Sequence, residues 1–182
     1  GTQLGSPVTI TPVTNAANLL PYSQTFSQWT KIGSPTITDN AIAGPFDNGN
    51  CTGSGCSNTT ASTILFPAAS TASPVGISYN VPASSGVSLA GQTVTFSTWL
   101  GGAAQGSLTL LISDGSGANG LAAITFPVPT AYTRVERTVA IPATFGNGFT
   151  VARESTSSTQ QTVNFQGAQW EQAVDAGPYV LT

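Results

Sequence analysis

The chain has 182 residues, enough for one domain with a sizeable hydrophobic core. Four basic and seven acidic residues give a formal net charge of −3, which argues against nucleic acid or an anionic membrane surface as a partner. The chain contains no His, which excludes the Ser-His-Asp and Cys-His arrangements of nucleophilic catalysis. No apolar run approaches the ~20 residues of a membrane-spanning helix.

The first predicted element is a short strand near the start of the chain. Val8 and Ile10 share one face, and Pro7 and the proline before Val13 exclude a central place in a sheet. Two interpretations stay open: an edge strand of the domain itself, or an arm that pairs with a neighbouring copy by strand addition. We therefore divide the chain into an arm at 1–15 and a domain at 16–182.

A long polar loop follows a predicted strand at 35–39, and it carries both cysteines. Cys51 and Cys56 are separated by Thr-Gly-Ser-Gly, a spacer flexible enough for a local disulfide. A zinc site would need about four ligands, which two cysteines without His do not supply. A disulfide indicates an oxidising, extracellular setting, and a first residue other than Met agrees with removal of a secretion signal.

The most regular stretch runs from 92 to 115. Val94, Phe96 and Leu100 recur with period two, and the same alternation returns at 108–112 after a Gly-rich loop. We expect these two strands to pair as a tight antiparallel hairpin whose apolar face other strands cover. Turn signals recur through the rest of the chain without a helical period. About ten antiparallel strands of this kind predict an all-β sandwich, a jelly roll, whose further strands are expected at 61–67, 75–82, 121–128, 132–141, 149–154, 161–171 and 179–181.

Trp99 stands out within the central stretch. It is out of phase with Phe96 and Leu100, so it faces away from the core together with Thr95 and Ser97. An open aromatic ring among hydroxyl groups is a plausible platform for a sugar. The alternative is that the arm, a loop or another subunit covers Trp99.

Three segments carry a resemblance to known proteins. They are NLLPYSQTFSQWT from residue 18, QTVTFSTWL with the following GSLTLLISDGSG, and FQGAQWEQ with the later GPYVLT. Together they resemble the jelly-roll domains of the carbohydrate-binding, galactose-binding-like type, which occur in secreted bacterial proteins and in phage tail and surface proteins. The resemblance implies that Trp29 and Trp170 belong to the framework and lie in the core.

The same resemblance implies one cofactor. Domains of this type often hold a structural calcium near the two chain ends, bound by carboxylate and carbonyl oxygens. The sensible contributors in this sequence are Asp39, Asp47, Glu171 and Asp175.

The acidic residues show no opposed pair of the kind that glycoside hydrolysis uses, so we predict no enzymatic activity. The leading prediction is an extracellular structural subunit that assembles with copies of itself, as in a surface filament, through the strand at 7–13. Few charges are available to block pairing at sheet edges, and head-to-tail contacts that do not close give fibres. The alternatives are a carbohydrate-binding module with a polysaccharide ligand and a phage virion surface protein.

Overall fold

A computed structural model describes most of the chain from Asn18 onward. Within the described part the backbone is almost entirely β-strand, with a single 3-10 turn at Phe26–Gln28. None of the helical structure in this part is long and apolar enough to cross a membrane. The described residues are 18–45, 51–52, 59–70, 72–81, 89–102, 106–113, 120–143, 149–155, 157–177 and 179–180.

Ten of the strands form two antiparallel sheets of five strands each, with the orders β1-β5-β10-β7-β8 (sheet A) and β2-β4-β11-β6-β9 (sheet B). A short parallel pair, β3 with β12, stands apart from them. The predicted antiparallel sandwich of about ten strands is therefore confirmed. The strands are β1 (Thr30–Ile32), β2 (Thr36–Ala43), β3 (Cys51–Thr52), β4 (Thr60–Phe66), β5 (Val75–Val81), β6 (Thr93–Gly101), β7 (Ser107–Ser113), β8 (Gly120–Pro127), β9 (Thr133–Ala140), β10 (Phe149–Ser155), β11 (Gln161–Glu171) and β12 (Tyr179–Val180).

The central hairpin expected from the sequence was wrong. β6 pairs with β9 and β11 in sheet B, whereas β7 pairs with β8 and β10 in sheet A. The connection between them therefore passes from one sheet to the other, and it includes Gly102 and Gly106 at φ 144° and 79°, in the region that favours glycine. Alternation shows which face of a strand is buried, but it does not identify the neighbouring strand.

The core is built from the apolar faces of both sheets. Phe96 and Leu100 of β6 and Leu108 of β7 are fully buried and belong to one cluster. Burying each such side chain contributes roughly 1.5–3 kcal/mol. Trp29 and Trp170 are 3% and 0% exposed, so the prediction that they lie in the core is confirmed.

The segment that precedes β1 is fastened to β11. Asn18 donates its side-chain Nδ2–H to Ala168 O at 2.9 Å and accepts the Trp170 N–H at 3.0 Å. Leu19 N–H adds a backbone bond to Trp170 O at 2.8 Å. These bonds attach the start of the described chain to β11. They lie beside the part of β11 whose register is irregular, between Gln166 and Gln169.

Candidate functional site

One face of sheet B packs on the core, and the opposite face carries mostly polar side chains. Residues directly opposite each other on neighbouring strands point to the same side of a sheet, so the strand register defines this face. We call it the outward face of sheet B. Its three rows across β9, β6 and β11 are Arg134–Trp99–Gln166, Glu136–Ser97–Gln169 and Thr138–Thr95–Glu171.

The structure brings Trp99, Thr95 and Ser97 to this one face, but it does not leave all three open. Trp99 is half-buried, whereas Thr95 and Ser97 are 0% and 1% exposed. The strand pattern predicts that both hydroxyl groups face a ligand. They are instead engaged within the protein: Thr95 Oγ1 donates to Ala173 O at 2.8 Å, and Ser97 Oγ accepts Arg134 Nη2–H at 2.9 Å.

The segment that covers Thr95 comes from just after β11. Residues 172–177, which we call the strap, fold back over the row that contains Thr95. Besides the bond from Thr95 to Ala173 O, Thr138 Oγ1 donates to Val174 O at 3.1 Å and Gly177 N–H donates to Glu171 Oε1 at 2.8 Å. The strap therefore forms one border of the outward face, close to the first residues of β6.

Glu171 is a carboxylate that is 2% exposed on a sheet face opposite the core. Burying a charged group is costly unless hydrogen bonds satisfy it. Glu171 Oε1 accepts Gln169 Nε2–H at 2.9 Å as well as the Gly177 N–H, and its charge lies near the Arg134 guanidinium. Burial lowers the pKa of Arg134, while the charges of Glu171 and Glu136 act in the opposite direction. One cation thus lies near two carboxylates.

Tyr132 lies at the other end of the outward face. Its ring packs over Gly101, where an added Cβ would lie 3.1 Å from Tyr132 backbone and ring atoms. The Tyr132 hydroxyl donates to Ala43 O at 3.0 Å, and burial raises the pKa of this phenol. Trp99 and Arg134 therefore lie between Tyr132 on one side and the strap on the other.

The sequence pattern does not identify Arg134, Tyr132 or Gln169 as parts of this site. Period-two alternation along β9 places Arg134 and Glu136 on one face, so a signal for that pair was present. No comparable signal existed for Gln169. The bulge between Gln166 and Gln169 shifts the alternation of β11, and a bulge of this kind is not evident from the pattern alone.

The acidic residues that the resemblance suggested for calcium have other contacts where they are described. Asp39 accepts Ser27 N–H at 3.2 Å and Ser62 Oγ–H at 2.8 Å, so it holds the 3-10 turn against β4. Glu171 belongs to the buried network under the strap, and Asp175 is exposed on the strap itself. Asp47 lies outside the described residues. Among those that are described, no three His, Cys, Asp or Glu side chains are grouped as metal ligands would be, and calcium stays a prediction.

Two further predictions fall largely outside the described residues. The arm with Pro7, Val8, Ile10 and Val13 precedes the described part of the chain, so the division into an arm and a domain stays a prediction. The predicted disulfide between Cys51 and Cys56 also stays a prediction. Cys56 lies outside the described residues, and of Cys51 only the backbone, in β3, is described.

Comparison with known proteins gives matches in structure only. No protein-family model matches the chain, and no curated protein matches it in sequence. The CBM22-1 xylan-binding domain of Paenibacillus barcinonensis Xyn10C has a TM-score of 0.58 and 13% identity, over 89% of this chain and 97% of that one. TmCBM61, solved with β-1,4-galactotriose, has a TM-score of 0.52 and 14% identity, over 87% and 100% of the two chains.

A third similar structure comes from a phage. The enzymatically active domain of tailspike protein 4 of bacteriophage CBA120 has a TM-score of 0.53 and 13% identity, over 86% of this chain but 21% of that one. Identities this low show the fold and nothing finer. The resemblance identified from the sequence is confirmed at that level: the chain has the jelly-roll, galactose-binding-like fold of carbohydrate-binding modules.

Proposed function

We propose that this chain is a non-catalytic carbohydrate-binding domain that holds a polysaccharide on the outward face of sheet B. The observation that carries the proposal is the position of Trp99, half-buried and flanked by Arg134 and Gln166 in one row of that face. Sugar sites combine an aromatic ring with a few oriented polar groups. Structures of similar fold include a xylan-binding domain and a module in complex with β-1,4-galactotriose.

The proposed contacts follow from the geometry around Trp99. The indole ring would stack on the C–H face of a sugar, while side chains beside it bond the hydroxyl groups. Arg134 is suited to that task because its guanidinium has five N–H donors in a rigid plane. The bond from Arg134 Nη2 to Ser97 Oγ and the nearby charge of Glu171 fix this plane before a ligand arrives. Such preorganisation lowers the entropy cost of binding.

Binding without catalysis is the better interpretation of the carboxylates. Glycoside hydrolysis uses two carboxyl groups on opposite sides of the scissile bond. On the outward face of sheet B, Glu171 is buried and hydrogen-bonded beneath the strap, so Glu136 has no exposed carboxylate partner in the three rows. We place such a domain outside the cell, where polysaccharides are accessible, which agrees with the setting that the predicted disulfide indicates.

Self-assembly remains the second candidate. Its predicted connector at 7–13 lies outside the described residues, and no contact among the described residues supports a filament or a place in a phage virion. Deleting residues 1–15 tests it directly, since sedimentation would then show a folded monomer if the arm joins copies. Polymers that persist after the deletion would contradict that connection.

Affinity electrophoresis in gels that contain xylan or β-1,4-galactan tests the binding proposal. The unaltered chain is expected to be retarded by at least one of them, and Trp99→Ala is expected to weaken the binding by about tenfold or more. Trp99→Phe keeps an aromatic ring and should retain most of it. Thr125→Ala, on the outer side of sheet A, serves as the surface control. A Trp99→Ala variant that binds as well as the parent would contradict the proposed site.

A further inference from the structure

A second aromatic side chain is displayed at the surface, away from Trp99. Tyr22 is 48% exposed and has a backbone φ of 56°. A positive φ is unusual for a bulky residue, and it costs of order 1–3 kcal/mol. Such strain persists only where the surrounding structure holds it, and it is concentrated at functional positions.

Several hydrogen bonds hold Tyr22 in this conformation. Its carbonyl oxygen accepts the Trp29 Nε1–H and the Thr25 N–H, both at 3.2 Å. The next residue, Ser23, is buried, and its carbonyl oxygen accepts the Ala168 N–H at 2.8 Å. The backbone on both sides of the Tyr22 side chain is therefore fixed to the framework of the sandwich.

The ring of Tyr22 also has an aromatic support. It meets Tyr79 of β5 edge to face, with 6.4 Å between ring centroids and 63° between ring planes. Tyr79 in turn lies 5.6 Å from the ring of Trp29, which is in the core. Burial, and secondly the Tyr22 phenol, raise the pKa of Tyr79. Tyr22 is thus the exposed end of a row of three aromatic rings that continues through Tyr79 to Trp29.

We propose that Tyr22, supported by Tyr79, is a second carbohydrate-stacking site that takes a sugar unit of the same polysaccharide. This inference rests on the function proposed above. A fixed, partly open aromatic ring suits the C–H face of a sugar, because little side-chain freedom is lost when the two stack.

The two sites lie on different surfaces of the sandwich. Trp99 belongs to the outward face of sheet B, whereas Tyr22 contacts β5 of sheet A and the core residue Trp29. A polysaccharide long enough to reach both rings would meet the second ring at a high effective concentration once it has bound the first. Binding to the polymer should exceed binding to a short oligosaccharide because a short ligand reaches a single site.

Two variants at position 22 separate the ring from the backbone strain. Tyr22→Asn removes the ring but keeps a residue that tolerates positive φ, and Tyr22→Phe keeps the ring without the hydroxyl. We expect Tyr22→Asn to weaken binding to the retarding polysaccharide by about tenfold. Its affinity for a trisaccharide of the same sugar, measured by calorimetry, should change less than about twofold. Tyr22→Phe should resemble the parent in both measurements.

A second measurement does not depend on the stability of the Tyr22 variants. In the Trp99→Ala variant, titration with the trisaccharide should still shift the NMR signals of the Tyr22 ring. Absence of that shift, or a Tyr22→Asn variant with unchanged polymer affinity, would overturn the second site while leaving Trp99 as the binding residue. If the unaltered chain bound no polysaccharide, the proposed function itself would fail and this inference with it.

Discussion

The two sheets each carry a cross-strand pair of threonines on the side away from the core. Thr95 and Thr138 in sheet B have hydroxyl oxygens 2.9 Å apart, and Thr109 and Thr125 in sheet A have theirs 2.8 Å apart. The local chemistry is the same, but on the inner strands Thr95 of β6 is fully buried, whereas Thr109 of β7 is half-buried. The strap makes the difference, because its carbonyl oxygens accept the hydroxyls of the sheet B pair.

This comparison shows how a sheet face becomes a structured site. Strand pairing alone gives a threonine pair that water can reach. A segment from elsewhere in the chain excludes that water and adds acceptors, and it encloses Glu171 beside Gln169 and Arg134. In the less polar setting each hydrogen bond matters more, and a lost partner costs more. The outward face of sheet B should therefore be sensitive to substitutions that sheet A tolerates.

Removal of the buried carboxylate should have the largest effect. Glu171→Ala leaves the Gly177 N–H and Gln169 Nε2–H without their acceptor and lowers the free energy of unfolding by about 3 kcal/mol. Glu136→Ala is the matched control on the same face. Because Glu136 is exposed, its loss should cost about 0.5 kcal/mol or less, as measured by urea denaturation. Equal losses in the two variants would show that the strap does not enclose Glu171 in solution.

The threonine pairs give the next largest difference. Thr95→Val removes the donor to Ala173 O in a buried position and is expected to cost about 1–2 kcal/mol of unfolding free energy. Thr109→Val removes the equivalent hydroxyl from sheet A and should stay within about 0.5 kcal/mol of the parent, since Val also favours strands. If both substitutions gave the same urea midpoint, burial of the sheet B pair would be contradicted.

The smallest expected effect concerns alkaline pH. Burial raises the pKa of Tyr132 above its ordinary value of 10.0, so the folded state binds the phenolic proton more tightly than the unfolded chain does. The resulting stability is present in full below pH 10.0 and declines as pH rises through the folded pKa. Tyr132→Phe should reduce the slope of unfolding free energy against pH in that range. An unchanged slope would indicate that the ring is open to solvent.

The phase of the central strand was predictable from the sequence. Alternation placed Phe96 and Leu100 toward the core and Trp99 on the other face, and this assignment required only the period of a strand. The expected core positions of Trp29 and Trp170 came from the resemblance, and the fold class came from the strand and turn pattern together with the resemblance. These features depend on residues close together in sequence or on segments that are recognisable as a set.

The rest of the site depends on contacts between distant residues. Thr95 and Ala173 are separated by 78 positions, and no local pattern indicates that the strap returns over that row. The wrong hairpin has the same origin. Alternation along β6 and β7 does not show whether the two strands pair with each other or lie in opposite sheets. Trp99 was therefore found as a candidate, whereas the strap and Arg134 that shape its surroundings were not.

The clasp that Asn18 makes with Ala168 and Trp170 joins positions 150 and 152 residues apart. The first described residue of the chain is therefore tied to the last long strand of sheet B, just before the strap begins. Because one side chain makes both bonds, a change at Asn18 would loosen the start of the domain and the irregular part of β11 together.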